Sequence, residues 1–321
     1  MTSSLRTLRR PADLVEARLA PADRLGELER VAARYAVAIT PAMAALIETS
    51  DPRDPIARQF VPDPAELDVR PDEMDDPIGD DKHSPVEGLV HRYRDRVLLK
   101  LVSACAVYCR FCFRREMIGP GKPSVISEEA LAAALAYIEG HREIWEVILS
   151  GGDPLVLSPR RLAAVMKRLK AIEHVKIVRV HTRVPAVDPA RITSALVRAV
   201  KASGKTTYVV LHANHARELN AAARAACARI IDAGIPMLAQ SVLLKGVNDD
   251  VEALGELMRA FVECRIKPYY LHHLDRARGT AHFRTSIAHG RKLMRALRAR
   301  HSGLCQPAYV IDLSGKGKVP V

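Results

Sequence analysis

The chain has 321 residues, 48% hydrophobic and 27% charged, a balance that supports a full core and excludes disordered and collagen-like classes. No run approaches the roughly 18 apolar residues of a membrane span. The opening MTSSLRTLRRPADLVEARLA lacks the apolar core and cleavage site of a secretory signal, so a cytoplasmic location is expected. Charge is unevenly spread: residues 1–85 carry 11 Lys and Arg against 17 Asp and Glu, net −6, and residues 86–321 carry 38 against 20, net +18. A basic body suits anionic ligands, but aromatic content of only 4% leaves few stacking platforms, which counts against nucleic acid as partner.

In chain order, helical patterns fall near residues 12–20, 22–37 and 41–48. The Pro/Asp-rich passage 51–81 follows, and its prolines argue against regular helix there. Composition admits a flexible acidic linker as readily as an ordered segment. From residue 96 short β-branched runs alternate with longer amphipathic stretches. Strands are expected at 96–104, 146–152, 175–182, 206–213, 236–244, 267–274 and 308–314, and helices at 128–141, 159–172, 189–203, 220–234, 249–263 and 286–300. Ser127, Pro159 and Pro189 stand where helices begin. Successive βα units of this spacing predict an α/β fold with a parallel sheet or barrel over 86–321, preceded by a helical and Pro/Asp-rich unit over 1–85.

The cysteines are Cys105, Cys109, Cys112, Cys227, Cys264 and Cys305. The first three form C-x₃-C-x₂-C directly after the first barrel strand. In a reducing compartment such a cluster points to metal rather than disulfides. Three thiolates from one loop can hold three irons of a 4Fe–4S cube and leave the fourth open. Zinc is the alternative, although structural zinc usually takes four protein ligands and no second Cys or His pair stands at suitable spacing. The next strand ends in Gly151-Gly152-Asp153-Pro154. By itself this is an ordinary turn; its glycines would also let backbone approach a ligand, and Asp153 could accept from an ammonium.

The cysteine loop resembles that of the radical S-adenosylmethionine superfamily, where the open iron is chelated by S-adenosylmethionine and reductive cleavage yields a 5′-deoxyadenosyl radical. The glycine turn is similar to the superfamily's turn at the methionine amino group, which implies that role for Gly151, Gly152 and Asp153. The flanks resemble the lysine 2,3-aminomutase family: residues 85–116 (PVEGLVHRYRDRVLLKLVSACAVYCRFCFRRE), 179–185 (RVHTRVP), 211–215 (LHANH), 240–249 (QSVLLKGVND), 269–275 (YYLHHLD) and 309–320 (YVIDLSGKGKVP). The likeness runs from roughly residue 50 to the last residue. It implies a partial (β/α)6-type parallel barrel over 86–321 of the radical S-adenosylmethionine kind, an ordered helical and extended strap in the N-terminal unit, and pyridoxal phosphate as a third cofactor.

Lys318 matches the lysine that carries pyridoxal phosphate through a Schiff base, although the loop is one residue shorter than is typical and Lys316 lies two positions upstream. Arg114 matches the arginine that clamps the substrate α-carboxylate, and Asp275 and Asp312 match two aspartates that hold the distal ammonium of lysine. Arg92 and Arg96 are candidate phosphate ligands, and His212 and Gln240 match positions near S-adenosylmethionine. Without the resemblance, Lys318, Arg92 and Arg96 read as solvated surface charges, the aspartates as caps or loop residues, and a strand-end histidine as structural.

The activity implied is conversion of L-lysine to β-lysine by 2,3-amino migration, with an electron donor such as flavodoxin or ferredoxin. A homo-oligomer is possible. Structural zinc is not expected, because Asp250 stands where relatives carry a zinc cysteine and the chain stops at Val321. The short architecture, LHHLD and CAVYCRFCFRR resemble the branch that makes (R)-β-lysine for elongation factor P, whereas Asp312 and the Lys-Val-Pro ending lean towards free-standing aminomutases. Glutamate is a weaker substrate reading, since its enzyme should lack paired distal carboxylates. An RNA-acting radical enzyme, suggested by the basic body, would show salt-sensitive RNA affinity.

Overall fold

A computed structural model describes residues 6–119, 124–313 and 317–321. Lys316 lies outside the described residues. Four short helices open the chain: α1 (Pro11–Glu16), α2 (Leu25–Arg34), α3 (Pro41–Ala44) and α4 (Pro55–Phe60). The barrel then runs β1 (Leu89–Tyr93), β2 (Arg96–Val102), α5 (Glu128–Gly140), β3 (Glu146–Gly151), α6 (Pro159–Ala171) and β4 (Ile177–Thr182). It continues with α7 (Val184–Val187), α8 (Ser194–Val200), β5 (Thr206–His212), α9 (Ala221–Asp232), β6 (Met237–Leu243) and α10 (Val251–Glu263). The last elements are β7 (Lys267–His273), α11 (Ile287–Arg300), β8 (Ala308–Leu313) and β9 (Gly317–Pro320).

All nine strands form one sheet in chain order, parallel from β2 to β8 and antiparallel at β1–β2 and β8–β9. The helical crossovers make that order natural: each βαβ unit brings the next strand beside the last. The expected mixed α/β barrel is what is found. β1 and β9 were not expected; both are short edge strands whose ladder bonds come from a neighbour rather than from their own composition. The expected helix 189–203 breaks into a 3₁₀ turn at Pro189–Arg191 and α8, where Thr193 caps the new start. Ser127 and Ser158 cap α5 and α6, each side chain accepting from a backbone N–H three residues on.

The passage 51–81 corrects two readings. It contains a regular helix, α4: Pro55 takes the first helical position, where a missing N–H costs nothing, and the Asp54 carboxylate accepts from Ile56 N at 3.0 Å and Ala57 N at 2.7 Å. Nor is it a flexible linker. Asp54, Gln59 and Glu66 are fully buried against the barrel, Arg217 donates to Asp54 at 2.6 Å, and Met74 bridges to Ala277. The acidic strap lies on basic barrel residues.

The main core lies where the apolar strand faces turn outward onto the helices: Val147 and Leu149, Val178 and Val180, Val209 and Leu211, and Leu271 are all 0% exposed; a smaller cluster gathers Phe111, Leu244, Val247, Leu274 and Phe283. Among the described residues no helix is long and apolar enough to cross a membrane.

Candidate active site

Because side chains alternate across a strand, the residues between those core positions face inward. They line a cavity of about 560 Å³, within the usual range for small-molecule sites. Its wall includes Arg96 from β2, Arg179 and His181 from β4, His212 from β5, Gln240 from β6, Tyr270 and His272 from β7, Asp312 from β8 and Lys318 from β9. The cysteine loop and the glycine turn complete it. Every candidate residue drawn from the sequence lines this one cavity: Cys105, Cys109, Cys112, Arg114, Gly151, Gly152, Asp153, His212, Gln240, Arg92, Arg96, Asp275, Asp312 and Lys318.

The three cysteines follow β2 and are free, half-buried thiols. Burial pushes Cys105 well up and Cys112 up to about 11, with the neighbouring cysteines adding to both. Metal binding would draw the protons off such thiols, since thiolate is the ligating form. Among the described residues no three His, Cys, Asp or Glu side chains converge closely enough for a single ion. A cube, whose three thiolates sit on three different irons, suits this loop better than zinc does.

The glycines of the turn are required by packing. A Cβ on Gly151 would lie 2.3 Å from Val102 O, and one on Gly152 2.2 Å from Ala104 O, so the turn fits flush against the backbone that leads into the cysteines. Gly151 also has φ +115°, a conformation that other residues rarely adopt. The Asp153 carboxylate is already engaged: it accepts from Thr182 Oγ1 at 2.7 Å, Arg183 N at 2.6 Å and Leu155 N at 3.0 Å. It ties the ends of β3 and β4 together.

Across the cavity, the antiparallel register sets Lys318 directly opposite Asp312, with Nζ 3.9 Å from Oδ2. Tyr93 fixes β9 by accepting from Lys318 N at 2.8 Å, and Gly317 leaves room for that ring. Burial pulls the Lys318 ammonium down to about 8; Arg179, Arg92 and Arg96 add to the shift while Asp312 opposes it. A half-buried, cation-ringed amine of this kind loses its proton more readily than a free lysine and can act as a nucleophile. His181, His212 and His272 are held neutral, chiefly by burial. His181 Nε2 is a buried atom without a hydrogen-bond partner among the described residues, a wall group open to a ligand.

Several of the remaining charges are paired with one another. Arg92 donates to Asp312 at 3.0 Å and to Ile78 O at 2.9 Å. Arg114 turns Nε and Nη2 onto Asp80 Oδ2 of the strap, both at 2.8 Å, leaving Nη1 only a 3.5 Å approach to Ser150. Arg96 pairs with Asp95 at 2.8 Å and stacks over Tyr93. Asp275 is pushed up to about 7 by burial and by the Asp312 carboxylate, against the pull of Lys318, Arg92 and Arg114. Asp250 caps α10, accepting from Ala253 N at 2.8 Å.

Sequence reasoning assigned no role to Arg179, His181, Arg183, Tyr270, His272 or Asp80. Most of these were legible as polar residues at every second position of otherwise apolar strands. Asp80 was not, since its partner lies 34 positions away.

Comparison with known proteins agrees with this geometry. Residues 99–258 match the Radical SAM superfamily. An L-lysine 2,3-aminomutase of Acetoanaerobium sticklandii is 41% identical over 286 residues, covering 89% of this chain and 69% of that protein. A putative L-lysine 2,3-aminomutase of Aquifex aeolicus is 40% identical, covering 92% and 80%, and the L-lysine 2,3-aminomutase of Escherichia coli is 39% identical, covering 86% and 80%. Among solved structures, Streptococcus suis SuiB bound to S-adenosylmethionine superposes with a TM-score of 0.50 at 12% identity, over 72% of this chain and 52% of that one; this is a likeness of fold.

Proposed function

The chain belongs to the lysine 2,3-aminomutase family of radical S-adenosylmethionine isomerases, and from that premise we propose that it moves the α-amino group of L-lysine to the β-carbon. A 4Fe–4S cluster with S-adenosylmethionine would supply the hydrogen-abstracting radical, and pyridoxal phosphate the electron-delocalising ring. The observation that carries the reading is one cavity with three thiols on one wall and a half-buried, acidified Lys318 on another.

The chain's own groups have definite tasks in this scheme. Cys105, Cys109 and Cys112 would hold the cluster. Lys318, whose free amine appears as pH rises through about 8, would hold the pyridoxal aldehyde, and Arg92, Arg96 and Arg179 would supply positive charge for the phosphate. Arg114, anchored on Asp80 through one edge, keeps Nη1 for the substrate α-carboxylate. Asp275 and Asp312 take the side-chain ammonium. Arg92 is paired with Asp312 in this structure, which keeps that carboxylate on the same wall as Lys318. The buried walls exclude water from a radical, and fixed placement of the substrate carbon is the main physical demand. Two carboxylates here favour a cationic side chain over glutamate.

The test is anaerobic turnover by the reconstituted chain, with S-adenosylmethionine, pyridoxal phosphate and a low-potential reductant. Chiral chromatography should find β-lysine from lysine, fix its stereochemistry, and find glutamate unchanged. Isomerised glutamate, or lysine left intact by fully loaded protein, would reject the assignment.

A further inference from the structure

Arg183, directly after β4, touches one of the three cysteines without being a ligand itself. Its Nη1 lies 2.8 Å from Cys109 Sγ. Its position does not depend on that contact: Nη2 donates to Gln59 Oε1 at 2.5 Å and to Glu218 Oε2 at 2.7 Å. Glu218 is itself fixed by Asn214 N at 2.8 Å, His215 N at 3.0 Å and Gln59 Nε2 at 3.2 Å. The guanidinium packs on Phe60 at 4.6 Å and Phe111 at 5.6 Å and is 6% exposed.

We infer that Arg183 is a positioning residue that donates an N–H to the Cys109 sulfur of the cluster and thereby raises the cluster's reduction potential. This rests on the proposed iron–sulfur reading. One-electron reduction makes the cluster more negative, so a donor aimed at a ligating sulfur stabilises the reduced form more than the oxidised one. Glu218 largely balances the arginine's charge, which leaves the local N–H dipole as the lever. Gln59 and Phe60 belong to α4, so the strap helps set the potential, a role beyond covering the barrel.

The test is a redox titration, followed by electron paramagnetic resonance, of anaerobically reconstituted full chain without lysine. Wild type must first take up a full complement of cluster iron; if it does not, the iron–sulfur reading itself has failed. Arg183→Gln is expected to keep the iron but lower the midpoint, with about a tenfold smaller reduced-to-oxidised ratio at fixed potential, 59 mV for a one-electron couple. Arg183→Lys, which keeps the charge but cannot span Cys109, Gln59 and Glu218 in one plane, should fall between. Full iron with an unchanged midpoint in Arg183→Gln overturns the inference. Should that variant fail to hold a cluster, wild type carrying ¹⁵N-arginine decides. A nitrogen coupling to the reduced cluster that vanishes in Arg183→Lys supports the inference, and no coupling, or one that persists, overturns it.

Discussion

At the residue scale the site is built on two shifted groups. Lys318 is held down at about 8 against an ordinary 10.5, so the free amine appears as pH rises through 8. Trapping of pyridoxal phosphate by borohydride should therefore increase steeply between about pH 7 and 9 and map to Lys318 by mass spectrometry. Lys318→Arg should trap none. The same shift bears on stability: between about 8 and 10.5 the unfolded chain holds a proton that the folded chain has lost, so the cost of burying this ammonium is present below 8 and fades as pH rises. Asp275 shifts the opposite way, up to about 7 from 3.8. An ammonium binds the carboxylate and not the acid, so the KM for lysine should fall as pH rises from about 6 to 8. Asp275→Asn should raise KM about tenfold or more and flatten that profile, on the scale of a charged hydrogen bond lost.

At the element scale the cysteine loop is held by the strap. Glu66 is fully buried and accepts from Arg110 Nε at 2.9 Å and Nη2 at 2.6 Å, and Arg115 also donates to it. Both arginines lie in or beside the cysteine loop, and they hold the Glu66 carboxyl ionised despite its burial. Glu66→Gln would leave two buried cations short of a counter-charge, a loss of about 3–5 kcal/mol for a broken buried pair. Thermal denaturation should show a markedly lower midpoint, and reconstituted iron content should fall with it. An unchanged melting curve would mean that the strap does not hold the loop. None of this was visible in the sequence, where 51–81 offered only prolines and acids and the partners of Glu66 lie more than forty positions on. The barrel elements were visible because burial on the helix side forces β-branched runs and amphipathic helices at a βα period. β1 and β9 were not, because each exists through a hairpin with its neighbour.

At the scale of the whole molecule, seven parallel strands and two antiparallel edges enclose one lumen; successive loops carry the cysteines, the glycine turn and Asp275 into it, and the edge strand β9 carries Lys318. Family motifs made the identities of these residues legible. Their pairings were not, because Arg92 with Asp312 and Arg114 with Asp80 depend on how the sheet closes and where the strap crosses. In the proposed reaction the thiol wall and the lysine wall act on the same substrate molecule. Anaerobic turnover of lysine deuterated at C3, with mass spectrometry of product and nucleoside, measures this directly. Deuterium is expected in the 5′-deoxyadenosyl group and at C2 of β-lysine. β-Lysine formed while that group stays free of deuterium would contradict the proposed reaction.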